Sequence, residues 1–353
     1  KLKTLARSSL RWQLIWPTAH MKRKAAELEG AAELWPKSKK DVLCIDLSCL
    51  LSDVEAALAA CRDLPLKALT PENFPISTGL AHCLRKALQE VQHGSGAVFL
   101  RLPPPWIAEK GEDVCQRAFF GLCLHLGRPV TQSTDLGEIC ARVEDATSPE
   151  VLAAKHTKRR GYRNNKDQFL HVDSSIPAAR GEGMCDVLAM LCVRPAKKGG
   201  VSKMASASAI VAELQEKDEE LLRLLEKGFK YNAAAVEYHP DWRPPPHEER
   251  ERPLVYRDVN GHPCVQYAKN MVETITAMYM DAEREAEVRT ALAKFEEVSS
   301  GPSVVQYWNF QAGEVYLIDN YRWMHARTEF EDDPAARRLF FRVWLQVKDF
   351  DSK

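Results

Sequence analysis

The chain has 353 residues, of which 45% are hydrophobic, so it can bury a sizeable core as one large domain or two smaller ones. Its 49 basic residues balance its 49 acidic ones, whereas binding to nucleic acid favours a clustered basic excess. No apolar run reaches the roughly 18 residues that a membrane-spanning helix needs. We therefore expect neither nucleic acid nor a membrane as a partner, and the composition leaves the oligomeric state open.

The first 24 residues differ from the rest, because they carry seven lysines and arginines and no acidic residue. This composition is typical of an organellar transit segment; alternatively, Met21 is the true start and upstream sequence precedes it. We predict a basic extension over residues 1–40, disordered or a transit segment, and one domain over residues 41–353. The ten cysteines lack CxxC spacing, which indicates reduced, buried thiols. The expected localisation is cytoplasmic, or an organelle if residues 1–24 are a transit segment.

In chain order, residues 41–92 show mostly helical spacing of apolar residues. Residues 97–102 then predict a strand, and residues 112–126 a helix that Gly127 ends. Residues 141–165 are charged and irregular, which is typical of a surface loop. We expect 41–165 to form a helix and strand part that precedes a barrel core over 166–348.

The second half of the chain alternates short strands with turns. Strands are predicted over 186–193, 201–205, 304–310, 315–318 and 339–347. One helix is predicted from Ser206 or Ser208 to about residue 227, and another over 282–298. Many short strands with a few helices predict a mainly β protein, a jelly-roll barrel with covering α-helices.

Three residues suggest a metal site. His171 and Asp173 are two positions apart, so on an extended segment both side chains point to the same side. His325 follows 154 residues later, just past a predicted strand and turn. Two histidines and one carboxylate leave open metal positions, the arrangement of Fe(II) oxygenases; a zinc site with the same ligands stays open.

The last predicted strand has two unlike faces. One face is wholly apolar, and the other alternates Arg338, Phe340, Arg342 and Trp344. A cavity that holds an anion would explain both residue types on that second face. Arginine binds a carboxylate with two parallel hydrogen bonds, and the aromatic rings exclude water around it.

Together these segments resemble the taurine dioxygenase-like (TauD/TfdA) family of Fe(II)/2-oxoglutarate-dependent dioxygenases. The resemblance spans about residues 97 to 347 in the family's order. It rests on the stretches 125–132, 160–173, 191–202, 313–328 and 337–342.

The resemblance implies a double-stranded β-helix core in which His171, Asp173 and His325 bind Fe(II). It implies that Arg338 binds the distal carboxylate of 2-oxoglutarate. Ser202 stands where the family usually has a threonine that hydrogen-bonds the same carboxylate. The implied reaction consumes O2 and 2-oxoglutarate, oxidises a small organic substrate, most simply by hydroxylation, and releases succinate and CO2.

Two residues are implied to contact the substrate. Arg342 matches an arginine that holds the substrate anion in sulfonate-binding members, and Asn165 lies near the substrate-facing segment. We therefore expect an anionic substrate. The alternative for Arg342 is an aspartate or glutamate of the chain itself, since buried arginines are commonly paired internally.

The activity itself can be interpreted in more than one way. The same iron chemistry supports desaturation or epimerisation, and a barrel that serves only as a binding module is a rival of a different class. The retained triad and Arg338 favour an enzyme, and the retained Asp173 argues against a halogenase. Segment 174–184 is longer than usual in the family, which leaves the substrate shape undetermined, and Ala326 replaces a common glycine.

Overall fold

The computed structural model describes residues 38–132, 137–146, 164–174, 185–230, 251–269, 271–276, 278–279 and 281–347. Nearly all of the predicted N-terminal extension and of segment 174–184 therefore lies outside the described residues. Among the described residues, no helix is both long enough and apolar enough to cross a membrane.

Three helices cover one side of the molecule: α1 (Leu51–Ala60), α2 (Thr78–His93) and α3 (Pro104–Leu124). Helix α2 begins where the Ser77 side chain accepts a hydrogen bond from the Leu80 N–H, a standard N-terminal cap. Helix α3 begins before the predicted residue 112, since a proline suits the first turn. The predicted start coincides with a break at Gly111, which has a φ of 75°.

The major sheet has seven strands, and its central strands were expected from their apolar runs. The strands are β1 (Leu43–Asp46), β2 (Ala97–Arg101), β3 (Arg128–Val130), β4 (Ala141–Val143), β5 (Val187–Arg194), β11 (Glu314–Asp319) and β14 (Leu339–Gln346). Their order is β1-β2-β11-β5-β14-β3, with β4 also paired to β14. Strands β1 and β4 correct two expectations, because they lie in segments predicted as mostly helical and as loop. Strand β1 pairs in parallel with β2, and β4 is antiparallel to β14.

The minor sheet is antiparallel, with the order β10-β7-β12. Its strands are β7 (Ser202–Ser206), β10 (Gln306–Trp308) and β12 (Trp323–Arg327). Two short ribbons complete the described strands: β6 (Lys198–Gly199) with β13 (Phe330–Glu331), and β8 (Val255–Arg257) with β9 (Pro263–Val265).

The remaining helices are α4 (Ala207–Lys217), α5 (Glu219–Lys227), α6 (Met271–Thr276) and α7 (Ala282–Ser299). The single helix predicted over 206–227 is therefore two helices. The chain leaves helical geometry at Asp218, whose side chain accepts from the Leu221 N–H and starts α5. Ser206 caps α4 in the same way.

Three apolar clusters show how these layers pack. One joins the outer face of the major sheet to α1, α2 and α3. Another joins the outer face of the minor sheet to α4, α5 and α7. The third contains residues of both sheets and so forms the layer between them. Phe341 and Val343 of β14 belong to the first cluster and Phe340 to the third, which confirms the two predicted faces of this strand.

Candidate metal and cosubstrate site

His171 and His325 are direct neighbours across an antiparallel bridge. The His171 N–H donates to the His325 carbonyl at 3.1 Å, and the His325 N–H donates back at 2.9 Å. His325 follows β11 and the turn after it, as predicted, but it lies inside β12, a strand that was not predicted. This pairing places the two imidazole rings 4.5 Å apart between their centres.

Asp173 completes the predicted triad. Its carboxylate oxygens lie 3.7 Å from the Nε2 atom of His171 and 3.7 Å from that of His325. One atom from each side chain can be chosen so that all three lie within 4.8 Å of one another. The side chains thus fit one metal ion held by two nitrogens and one oxygen.

The hydrogen bonds and burial of the histidines favour their role as metal ligands. The Nδ1 atom of His171 lies 2.9 Å from the Phe169 carbonyl; since a carbonyl only accepts, Nδ1 carries the proton and Nε2 keeps its lone pair. Burial, together with the adjacent His171 ring, lowers the pKa of His325 to about 3. His325 is therefore neutral at neutral pH, the form that binds metal.

Asp173 is held at both its side chain and its backbone. Its carboxylate accepts hydrogen bonds from Trp344 Nε1 at 2.8 Å and from Arg342 Nη1 at 3.1 Å. The Asn320 side chain accepts from the Asp173 N–H at 2.9 Å and donates to its carbonyl at 2.8 Å. Burial alone would raise the pKa of Asp173, but Arg342, the two histidines and Trp344 lower it overall, so the carboxylate is ionised.

Arg342 lies on β14 and is buried. Besides its contacts with Asp173, its Nε donates to Gln132 Oε1 at 2.7 Å. Pairing with an acidic residue of the chain itself was the alternative to substrate binding for this arginine, and these contacts match that alternative.

Arg338 lies on the same face, just before β14 begins, and is only 2% exposed. Within the described part of the chain it forms no ion pair, and its Nε has no hydrogen-bond partner. Its guanidinium lies 4.1 Å from the Phe340 ring centre and 5.1 Å from that of Phe330. Burial lowers the pKa of Arg338 to about 10, so it stays charged at neutral pH. A buried cation without an acidic partner fits an anionic ligand.

The remaining predicted residues lie in nearby elements. Ser202 is buried at the start of β7. Gly200 has a φ of +67°, and a Cβ placed there would lie 3.3 Å from Arg338 Nε, so a glycine keeps space open beside this group. Asn165 is half-buried, and its carbonyl accepts from the N–H of Phe330, whose ring packs on Arg338.

Sequence reasoning missed three residues that support the site: Gln132, Asn320 and the hydrogen-bonding role of Trp344. Trp344 alternates with Arg342, which already indicated that both face the same cavity. Gln132 ends the first stretch that resembles the family. For Asn320 the only signal was the turn before the predicted distal ligand.

Comparison with known proteins identifies the family of the chain. The sequence profile of the family described as "Taurine catabolism dioxygenase TauD, TfdA family" matches residues 62–344. FR-33289 synthase of Streptomyces rubellomurinus is 26% identical over 269 residues, which cover 75% of this chain and 73% of that protein. Uridine-5'-phosphate dioxygenase of an Amycolatopsis species is 25% identical over 240 residues, covering 67% and 82%.

Solved structures share the fold. The non-heme iron oxygenase OrfP, in complex with Fe and alpha-ketoglutaric acid, has a TM-score of 0.57 at 16% identity, covering 88% of this chain and 96% of that one. Asparagine oxygenase (AsnO) has a TM-score of 0.56 at 17% identity, covering 86% and 92%.

The chain belongs to the TauD/TfdA family. It is an oxidoreductase of the Fe(II)- and 2-oxoglutarate-dependent dioxygenase class. The expected family, fold class, enzyme class and cofactors are thereby confirmed.

Proposed function

We propose that His171, Asp173 and His325 bind one Fe(II), and that Arg338, assisted by Ser202, binds the distal carboxylate of 2-oxoglutarate. The enzyme then hydroxylates a small organic anion. The observation that carries this proposal is the buried guanidinium of Arg338, which has no acidic partner among the described residues.

The triad supports iron rather than a closed structural metal site. Three protein ligands on one side leave metal positions for a cosubstrate, whereas structural zinc sites usually have four protein ligands. Among the described residues, no fourth histidine, cysteine or acidic group joins this cluster.

The surroundings of Arg338 support a dicarboxylate cosubstrate. The planar guanidinium can bind a carboxylate through two parallel hydrogen bonds. The rings of Phe330 and Phe340 lie against it, which excludes water and strengthens the ion pair. Gly200 leaves space at the Nε atom, where such a carboxylate would lie.

Bound iron and 2-oxoglutarate supply the oxidising chemistry, and the chain contributes position and a dry cavity. The layer between the sheets is rich in aromatic side chains, including Phe99, Trp308, Phe310, Tyr316 and Trp323. Such a lining keeps competing water away from a reactive centre.

An anionic substrate is supported by one relative, whose name, uridine-5'-phosphate dioxygenase, specifies a phosphorylated molecule. The roles of Arg342 and Asn165 in substrate binding stay predictions. The contacts of Arg342 with Asp173 support its internal pairing instead.

The test is iron-dependent conversion of 2-oxoglutarate to succinate by the purified chain, together with metal analysis of His171→Ala and His325→Ala. Either variant should lose most of its iron, because two remaining ligands hold a labile metal poorly. His82→Ala, an exposed histidine on α2, is the matched control. Iron at the wild-type level in both triad variants would contradict the assignment.

A further inference from the structure

The two oxygens of the Asp173 carboxylate have unequal surroundings. Oδ2 accepts from Trp344 Nε1 at 2.8 Å and from Arg342 Nη1 at 3.1 Å. Oδ1 has one longer contact, 3.3 Å from the same Arg342 nitrogen. Since a carboxylate oxygen offers two lone-pair positions, the two donors at Oδ2 occupy it more fully than the single donor occupies Oδ1. Both oxygens face the histidines, with Oδ1 3.7 Å from His171 Nε2 and Oδ2 3.7 Å from His325 Nε2.

Arg342 is itself held in place by Gln132, which is 7% exposed. The Gln132 side chain accepts from Arg342 Nε at 2.7 Å and donates to the Arg342 carbonyl at 2.6 Å. It also donates to the Ile139 carbonyl at 3.3 Å. A chain of buried hydrogen bonds therefore runs from the Ile139 backbone through Gln132 and Arg342 to Asp173.

We propose that Trp344, Arg342 and Gln132 are positioning residues, which fix the orientation of the Asp173 carboxylate toward the metal by hydrogen bonds centred on Oδ2. This inference rests on the proposed iron site. The arrangement also gives Arg342 a role in holding a metal ligand in place of a role in binding substrate.

Metal affinity tests this inference without relying on catalysis. The probe is Co(II), titrated into the full-length, metal-free chain by calorimetry, with the visible spectrum of bound Co(II) as a second readout of ligand geometry. Trp344→Phe keeps an aromatic ring and removes the N–H donor, and Arg342→Met removes the charged donor. Loss of an outer partner of a metal ligand typically costs about 10- to 100-fold in affinity.

We expect Trp344→Phe to weaken Co(II) binding by about tenfold and Arg342→Met by more, each with an altered Co(II) spectrum. The double variant should weaken binding by less than the product of the two effects, since both donors serve one oxygen. Trp106→Phe is the matched control. This buried tryptophan lies in the first apolar cluster and its N–H donates to the Glu55 carboxylate, so Co(II) affinity and spectrum should match the wild type.

Circular dichroism and melting of each variant separate metal binding from folding. If Arg342→Met does not fold, Trp344→Phe and Gln132→Leu serve as the test variants. Gln132→Leu should weaken Co(II) binding, because it removes the hydrogen bonds that hold Arg342 in place. Unchanged Co(II) affinity and spectrum in folded Trp344→Phe and Arg342→Met would overturn the inference while leaving the iron site intact. A wild-type chain that binds no Co(II) or Fe(II) would overturn the proposed function as well.

A third outcome would support the alternative role of Arg342, which is to bind the substrate. Folded Arg342→Met would then bind Co(II) like the wild type, yet lose the stimulation of 2-oxoglutarate consumption by anionic small molecules. That pattern would overturn the positioning role and support direct binding of a substrate anion.

Discussion

Arg338 and Arg342 share one face of one strand but have opposite surroundings. Both are nearly fully buried. Arg342 pairs with the Asp173 carboxylate and with Gln132, whereas Arg338 lies between two aromatic rings with no ion pair among the described residues.

The difference separates a charge that the fold satisfies from one that it leaves for a ligand. Burying an ion is costly unless a partner compensates it. For Arg342 the chain supplies the partner. For Arg338 we infer that 2-oxoglutarate supplies it, so the metal-free, cosubstrate-free protein carries an unfavourable buried charge.

The largest expected difference is in stability without metal or cosubstrate. Arg342→Met should lower the free energy of unfolding by about 3–5 kcal/mol, because it leaves Asp173 as an unpaired buried charge. Arg338→Met should leave that free energy unchanged or raise it, since it removes an uncompensated charge. Chemical denaturation at neutral pH measures both, and equal losses in the two variants would contradict the contrast.

For cosubstrate binding, the variant with the larger loss should be Arg338→Met instead of Arg342→Met. Arg338→Met should weaken 2-oxoglutarate binding by about 2–5 kcal/mol, well over tenfold, because the distal carboxylate loses its charged partner. The affinity of Arg338→Lys for 2-oxoglutarate should lie between those of the wild type and Arg338→Met, because lysine keeps the charge but cannot form two parallel hydrogen bonds. Anaerobic titration of the Fe(II)-loaded chain with 2-oxoglutarate gives the affinities. An unaltered affinity in Arg338→Met would move the cosubstrate site elsewhere.

A smaller effect is expected at Ser202. Ser202→Ala should weaken 2-oxoglutarate binding by about 1–3 kcal/mol, the cost of one hydrogen bond to a charged acceptor. Ser202→Thr keeps the hydroxyl and is the matched control. The same anaerobic titration applies, and a larger loss in the threonine variant than in the alanine variant would argue against a hydroxyl contact.

Much of the fold followed from patterns of apolar residues. The two faces of β14 were predicted because the strand alternates between two different environments. The strand that carries His325 was missed because every residue of β12 is buried, so no polar alternation marks it. Strand β1 was missed because four residues next to a strong helical pattern give little signal.

The sequence predicts the three candidate ligands, which the structure brings together, but not the residues that support them. His171 and Asp173 share a short motif, whereas the partners of Asp173 lie far away in the sequence. Gln132 precedes Arg342 by 210 residues, and Asn320 follows Asp173 by 147. Only the folded chain brings these groups together, since no local rule of spacing links them.

The Asn320 amide has a consequence for how much change this enzyme tolerates beside its candidate site. Its Nδ2 donates to the carbonyls of Asp173 and Cys185, at 2.8 Å and 2.9 Å. One side chain thus joins the two residues that flank segment 174–184. Insertions and deletions between residues 175 and 184 should leave Asp173 in place, because lengthening a closed loop adds little entropic cost. We therefore expect new segments grafted at this position to leave the Asp173 carboxylate in place.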